Sequence, residues 1–230
     1  MNTQPMLETG TGVTWDGLLG NSGDNFETKS IVIEQRAAMT DAEVARGRLL
    51  NADVDGKYHP ISSAETTVAL NASGEVLVND MAGTETQADV VLAHPPIPGT
   101  VTLATTADGS ATHVVELGTD NGEGQGKGAG GHFTVDYETG IIHVVFTTAP
   151  TIHHDLKAGY KYRAVDAADS GETLLGMPKV ILAEDLVGQD VIDGDVTTIA
   201  YVAGVFNRAA LKGYSAGYES HLNRQGIYTK

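Results

Sequence analysis

Residues 178–211 read PKVILAEDLVGQDVIDGDVTTIAYVAGVFNRAAL, and this stretch decides the fold class. Two apolar runs rich in β-branched residues, Val180–Ala183 and Thr197–Phe206, predict two strands on either side of an acidic turn. The stretch contains no thiol, no phosphate-binding loop and no catalytic group. It therefore predicts a β-rich structural unit and offers no active site.

Composition extends this expectation to the whole chain. The 230 residues are enough for one large domain or two small ones. Glycine accounts for 28 residues, roughly 12% against a usual 7%. Frequent turns and few long periodic helices predict a mainly β fold with short helices. The absence of cysteine from the sequence excludes a disulfide framework and thiolate chemistry.

The charge balance is strongly acidic, with 30 Asp and Glu against 14 Lys and Arg and a net charge of −16. Nucleic-acid binding depends on clustered positive charge, so we expect no nucleic-acid partner. Met1–Gly12 lacks the pattern of a signal peptide, and no apolar run approaches the length of roughly 20 residues that spans a bilayer. We therefore expect a soluble protein with no membrane partner. The acidity is explained either by solubility or by a surface that avoids DNA and other copies of the chain.

The first and last parts of the chain carry signals for a few defined elements. Lys29–Gln35 alternates and predicts a strand that buries Ile31 and Ile33. Thr40–Glu43 has the pattern of a capping box. Near the end, we expect Asn207 and Ser215 to cap helical turns, Tyr218 and Leu222 to share a helix face, and Gly226 to adopt a left-handed conformation.

Residues 66–164 have a different pattern, because short β runs separated by turn signals follow one another about every ten residues. This spacing predicts a sandwich of two sheets. The predicted runs are Glu75–Asn79, Ala88–His94, Thr100–Thr105, His113–Gly118, Gly131–Tyr137, Ile141–Thr147 and Gly159–Arg163. Glu138-Thr-Gly140 lies between the runs Gly131–Tyr137 and Ile141–Thr147 and predicts a hairpin turn that joins them.

Two motifs in the middle of the chain suggest ligand chemistry at first sight. Asn121–Gly131 contains a G-x-G-x-x-G pattern, but a strand follows it where a dinucleotide site needs a helix. We interpret it as a flexible loop between strands. His153-His154-Asp155 offers metal-ligand side chains, but adjacent residues of a strand point to opposite faces. We interpret this motif as a solvated loop, and the other histidines, His59 and His143 among them, as isolated.

The acidic residues within 178–211 do not have the pattern of a metal-binding or catalytic site either. Asp190, Asp193 and Asp195 lack the ligand register of a calcium-binding EF-hand loop and predict an acidic turn. The Glu184-Asp185 pair would diverge in a strand, whereas acid–base catalysis needs converging carboxylates. The sequence has no G-x-S-x-G nucleophile motif. We therefore expect no enzyme activity, no metal site and no cofactor.

Several short motifs, taken in order, resemble the phage lambda-type head decoration protein family, whose type member is decoration protein D. The motifs are Asp16–Leu19, Val44–Leu50, Gly56–Tyr58 with Pro60, Val180–Asp185, Gly194–Asp195, Tyr201–Leu211 and Leu222–Tyr228. They cover about residues 15–61 and 178–228. Compact members of that family are about half as long and lack the intervening segment.

The intervening segment resembles immunoglobulin-like modules of other phage structural proteins. The resemblance is carried by Ala93–Leu103, Asp136–Gly140, Val144–Pro150 and Ala158–Tyr162. We therefore predict a flexible arm at residues 1–14, a discontinuous decoration-protein domain at 15–65 and 165–230, and an inserted immunoglobulin-like sandwich at 66–164. Such an insertion is tolerated when the ends of the inserted domain lie close together.

The resemblance implies a structural role in a virion. Family members sit as homotrimers on the outer surface of the expanded head, where they clamp capsid subunits against the pressure of packaged DNA. It therefore implies the major capsid protein as partner, the virion surface as location and the host cytoplasm as the place of synthesis.

The expected contact with the capsid is the arm, which would add a strand to a capsid sheet. Its residues are Thr9, Gly10, Thr11, Gly12, Val13, Thr14 and Trp15. Trp15, the sole tryptophan, is expected either to anchor in a nearby core or to contact the partner. The alternative function is a head fibre or adhesin-type binding module, whose insert makes weak contact with a host surface or a glycan.

Overall fold

The chain folds into a mainly β structure, as the sequence predicts, with 48% of the described residues in strands and 10% in helices. The computed structural model describes residues 17–19, 26–53, 55–70, 74–107, 113–165 and 177–230. The strands are β1 (Glu27–Ile33), β2 (Leu49–Ala52), β3 (Tyr58–Val68), β4 (Glu75–Val78), β5 (Gln87–Val91), β6 (Thr102–Ala107), β7 (His113–Thr119), β8 (Gln125–Gly128), β9 (Gly131–Val135), β10 (Ile141–Phe146), β11 (His154–Val165), β12 (Val180–Leu182), β13 (Val196–Phe206) and β14 (Ile227–Thr229). The helices are α1 (Gly188–Asp193) and α2 (Glu219–Arg224), with 3₁₀ turns at Arg208–Ala210 and Ala216–Tyr218.

Five strands from the two ends of the chain form a ring, in the order β1, β13, β12, β2 and β3. A parallel pairing of Ile33 with Tyr58 joins β3 back to β1, and the Glu34 amide donates to the Tyr58 carbonyl at 3.2 Å. The alternation predicted for β1 is confirmed, since Ile31 and Ile33 are both buried. They pack with Leu50, Leu182 and other residues drawn from both halves of the ring. We call the ring, α1, α2 and β14 the base.

A second apolar core of the base gathers residues of β13, α2 and β14. Phe206, Leu222 and Ile227 are fully buried in it, together with Tyr218. The predicted helix face of Tyr218 and Leu222 is therefore confirmed. The Asn207 side chain accepts from the Ala209 amide, as a cap should, whereas Ser215 makes no such bond. Gly226 has the expected positive φ of 86°.

The segment between the two halves of the base leaves the base along β3 and returns to it along β11, and these two strands are paired. The end of β3 pairs with β11 in antiparallel register, from Val68 opposite Tyr160 to Glu65 opposite Arg163. The entry and exit therefore lie side by side, as an insertion requires. The predicted domain boundaries, between 65 and 66 and between 164 and 165, fall inside these two strands.

Strands β4 to β11 form two facing layers, which we call the sandwich. In one layer β11 lies between β4 and β6, and β7 follows β6; the other layer has the order β5, β10, β9 and β8. Their shared core includes Leu103 and Leu156 from the first layer and Phe133, Ile142 and Val144 from the second. The strict alternation of buried and exposed residues on β9 is the pattern of a strand with one buried face.

The sandwich also touches the base beyond the β3–β11 pairing. Ile97, from the proline-containing segment after β5, is buried in the second core of the base, and its amide donates to the Lys161 carbonyl at 2.7 Å. Glu138 forms an ion pair with Lys179. A side chain at Gly217 would collide with the Pro98 carbonyl, so glycine is required for this approach. The described helices are all too short and too polar to cross a membrane.

Candidate functional site

The predicted capsid-binding arm, Thr9 to Trp15, lies outside the described residues. The structure does define the point from which it departs. Leu18 is buried in the second core, and its carbonyl accepts from the Asn207 amide at 2.8 Å. The Asn207 side chain donates to the Gly17 carbonyl at 3.0 Å, and Leu19 forms a bridge with Phe206. The arm therefore begins at the end of β13.

The last residue of the chain lies at the same place. The Lys230 amide donates to the Phe206 carbonyl at 2.9 Å, and the Lys230 carbonyl accepts from the Arg208 amide at 3.0 Å. Arg208 in turn pairs with Glu219 at 2.6 Å. Residues near the start and near the end of the described chain thus hold the root of the arm, so the arm has a fixed origin.

A cluster of ionisable side chains inside the base was not expected from the sequence. Glu34, Asp53 and His59 bring their ligand-type atoms within 4.8 Å of one another, which is the spacing of a metal site. The His59 Nε2 atom lies 3.0 Å from Asp53 Oδ2 and 3.4 Å from Glu34 Oε2. Sequence reasoning treated His59 as isolated. The signal in the sequence is the short spacing of the two residues, since Asp53 directly follows β2 and His59 lies on β3, which pairs with β2.

The contacts around His59 decide what this cluster does. The buried Arg36 guanidinium contacts Nδ1 of His59, and a guanidinium can only donate, so Nδ1 must accept. The ring proton therefore sits on Nε2 and points at Asp53. A metal ion would need the Nε2 lone pair that this proton occupies, and Arg36 already places a positive charge beside it. We interpret the cluster as a structural hydrogen-bond network.

The electrostatics of the network agree with a neutral histidine. Burial, helped by the charge of Arg36, lowers the pKa of His59, while Asp53 opposes this change. Burial alone would raise the pKa of Asp53, but hydrogen bonds from His59 and the Lys57 amide outweigh it and lower that pKa. Hydrogen bonds to Glu34 and Asp195 raise the pKa of Lys57. The network therefore joins β1, β3 and the start of β13.

The glycine-rich stretch was predicted to be a flexible loop, and this is wrong for its second half. Gln125–Gly128 forms β8, which pairs with β9. Phe133 fills the space where a side chain at Gly126 would lie. A Cβ at Gly128 would come within 2.6 Å of the Glu116 carbonyl oxygen. The glycines are therefore required by close packing of strands, which a pattern search for phosphate-binding loops does not detect.

The His153-His154-Asp155 motif is likewise not a solvated loop throughout. His154 begins β11, and Asp155 is buried and accepts from the Asp80 amide at 3.0 Å. His153 is exposed and contacts Asp80 through its Nδ1 atom at 2.6 Å. His153 and Asp155 therefore both contact Asp80, through its side chain and its backbone amide respectively.

The acidic residues near α1 also have separate partners. The segment predicted to be an acidic turn contains the short helix α1. Asp195 Oδ1 accepts from the Gln35 amide at 2.8 Å, and Asp195 Oδ2 lies 3.1 Å from Lys57 Nζ. Glu184 accepts from Thr198 and Asp185 from the Arg46 amide, so this pair diverges as expected.

Comparisons of the chain with models of protein families, with curated proteins and with solved structures found no match.

Proposed function

We propose that the protein is a capsid decoration protein, which binds the outer surface of an expanded phage head and stabilises it against the pressure of packaged DNA. The observation that supports this most directly is the position of the motif residues. Leu50, Tyr58 and Leu182 share one core of the base, and Ile181, Tyr201 and Leu222 share the other. The ordered motifs that resemble the family thus build a single packed unit from two distant segments.

The pairing of strands supports the same proposal. β1 pairs with β13 over seven residue positions, and β2 pairs with β12. The first segment is therefore completed by the second, as it would be in a compact decoration protein that lacks the insert. The β3–β11 pairing brings the ends of the inserted segment together, so that the insert need not disturb the base.

The arm is the proposed contact with the major capsid protein. An extended segment that adds a strand to a capsid sheet gains backbone hydrogen bonds, but it loses conformational entropy when it becomes ordered. In the proposed homotrimer three arms are presented together, and the raised effective concentration compensates for that loss. The fixed root at Leu18 and Asn207 limits the reach of each arm.

The charge distribution suits an exterior position on a DNA-filled shell. Several cations are already paired with carboxylates of the same chain, for example Lys57 with Glu34, Lys179 with Glu138 and Arg208 with Glu219. With a net charge of −16, the remaining surface repels DNA and anionic surfaces.

The test is cosedimentation of the purified protein with expanded, DNA-free heads of a phage whose genome encodes it. The full chain should sediment with the heads, and a variant lacking residues 1–14 should stay in the supernatant while keeping the same oligomer mass in solution. A matched control, Tyr228→Ala, changes an exposed residue of β14 and should bind normally. Equal head binding after the deletion would overturn the role of the arm, and no binding by the full chain would overturn the function.

A head fibre or adhesin-type function remains the alternative proposal. It places the contact on the sandwich and not on the arm, so the two functions are independent and one chain could serve both.

A further inference from the structure

The end of the sandwich farthest from the base is defined by the direction of its strands. β11 starts at this end with His154, which pairs with Ala107 at the end of β6, and runs toward the base. In the other layer Gly131, the first residue of β9, pairs with Phe146, the last residue of β10. The turns that precede β9 and follow β10 therefore lie at this far end, which we call the tip.

A cavity of about 340 Å³ opens between the two layers at the tip. Its lining comes from β6, β7 and β10, from the start of β11 and from the two turns. The lining residues include Thr105, Leu117, Phe146, Thr148, Thr151 and His154. This volume lies near the lower end of the range of small-molecule sites, so the cavity suits a ligand of about monosaccharide size.

The lining has a particular chemistry, because none of the described lining residues is Asp, Glu, Lys or Arg. It combines apolar side chains such as Leu117 and Phe146 with the hydroxyls of three threonines and the ring of His154. An ionic ligand would find no opposite charge here. A ligand with an apolar face and several hydroxyl groups would find partners for both.

The hydroxyl group of Thr105 independently indicates a place for a hydrogen-bonding ligand. Thr105 is 3% exposed, and its Oγ1 has no hydrogen-bond partner within the described part of the chain. Buried hydroxyls are nearly always paired, so an unpaired one beside a cavity marks a position where a bound group can supply the bond. A hydroxyl both donates and accepts, which is what another hydroxyl group needs.

The backbone next to the cavity is held in an unusual conformation. Asp80 and His153 have φ angles of 55° and 64°, and they are the non-glycine residues with positive φ in the described chain. Their side chains contact each other at 2.6 Å. This contact, together with backbone hydrogen bonds of Met81 with His153 and His154, positions the chain where His154 lines the cavity.

We propose that the tip cavity binds a neutral saccharide, with the Thr105 hydroxyl as one of its hydrogen-bond partners. This inference rests on the alternative function, attachment through the insert, and is independent of capsid binding by the arm. A chain that lacks residues 1–14 should therefore keep the saccharide site, so the two proposals can fail separately.

The experiment uses the ¹⁵N-labelled full chain and a panel of neutral methyl glycosides of glucose, galactose, mannose and N-acetylglucosamine. Glucose 6-phosphate and sialic acid serve as charged probes. At least one neutral glycoside should shift amide resonances of residues that line the cavity, and the charged probes should not compete with it. No shift with any neutral glycoside, or shifts elsewhere on the protein, would overturn the proposal.

The variant Thr105→Val removes the hydroxyl and keeps the shape of the side chain. It should weaken binding by about tenfold or more, and thermal unfolding should show that it is as stable as the parent. The matched control is Thr102→Val, on the same strand but nearer the base, where the hydroxyl pairs with Thr119. Equal affinity of the Thr105→Val variant and the parent would overturn the assigned role, as would preferential binding of an apolar probe such as indole.

Discussion

The base and the sandwich bury their polar groups in different ways. In the base, buried Arg36 and His59 contact each other, and Asp53 and Glu34 complete the network. In the sandwich, Asp120 is buried mainly against backbone, accepting from the Gly99 and Val101 amides at 2.8 and 2.7 Å. Side-chain charges therefore help to specify how the base closes, whereas Asp120 holds a loop of the sandwich through backbone amides.

The difference extends to packing. The strands of the sandwich approach so closely at Gly126 and Gly128 that any side chain there would collide with a neighbour. In the base the close approaches involve helical turns, as at Gly188 and Gly217, and the second core is filled by large side chains such as Phe206 and Tyr218. We therefore expect the two regions to respond differently to core substitutions and to pH.

The largest effect is expected from Phe133→Ala, which removes the ring that packs on Gly126 in the sandwich core. A fully buried phenylalanine costs about 3–5 kcal/mol when it is truncated to alanine. Hydrogen exchange should show that protection is lost first in β5 to β10. The matched variant Phe206→Ala should cost a similar free energy and lower protection in β13 and β14. Identical exchange patterns for the two variants would contradict the division into two regions.

A smaller effect is expected from Ile97→Ala, because this side chain belongs to the sandwich but is buried in the base. Truncation of a buried isoleucine costs about 2–5 kcal/mol. The substitution should destabilise both regions and remove a contact that couples them. Calorimetry should therefore show two unfolding transitions where the parent shows one. The control Val91→Ala changes an exposed residue of β5 and should leave the transition unchanged. A single transition that merely shifts in temperature would contradict this account of the contact.

The base should also lose stability in mild acid. Burial lowers the pKa of both His59 and His221 in the folded state, so between that pKa and the unfolded value of 6.5 the unfolded chain binds more protons. The stabilisation is complete above pH 6.5 and is lost as the pH falls below it. The slope can reach about 1.4 kcal/mol per pH unit for each histidine.

Denaturant unfolding between pH 7.5 and 5 measures this slope for the base. The variant His59→Asn should flatten it, because one titrating group is removed. His143→Asn is the matched control, since His143 is an exposed residue of the sandwich. A slope that is the same in the parent and in His59→Asn would show that His59 does not titrate as proposed.

The smallest effect is expected from Asp89→Asn on the outer face of the sandwich. Asp89 Oδ1 lies 2.5 Å from His143 Nδ1, but both side chains are exposed. Exposed ion pairs contribute about 0–1 kcal/mol. Chemical denaturation should therefore place this variant close to the parent, and a loss comparable to that of Ile97→Ala would contradict the assignment.

The individual strands could be predicted because their signals are local. The runs at Val180–Ala183 and Thr197–Phe206 correspond to β12 and β13 within a residue at each end, and the Glu138–Gly140 turn joins β9 to β10 as expected. The turn works because Gly140 adopts a positive φ of 74°. Such signals need only neighbours in sequence.

The sites were harder to predict because they depend on contacts between distant segments. β8 was missed, since its glycines have meaning only beside Phe133 and Glu116. The His59 network was missed because it needs Arg36, in the irregular segment after β1, to contact a histidine on β3. The tip cavity is lined by residues that lie between Thr105 and His154 in the sequence, and no local sequence pattern predicts it.

By itself, the sequence determined the mainly β class, the acidic charge and the positions of most strands and turns, because alternation, β-branching and glycine act over a few residues. Only the tertiary structure decided that β1 pairs with β13 across the whole insert, that His59 is held neutral between Arg36 and Asp53, and that a cavity opens at the tip. These features depend on burial, because hydrogen bonds and charges affect the free energy of folding strongly only where packing has removed the surrounding water.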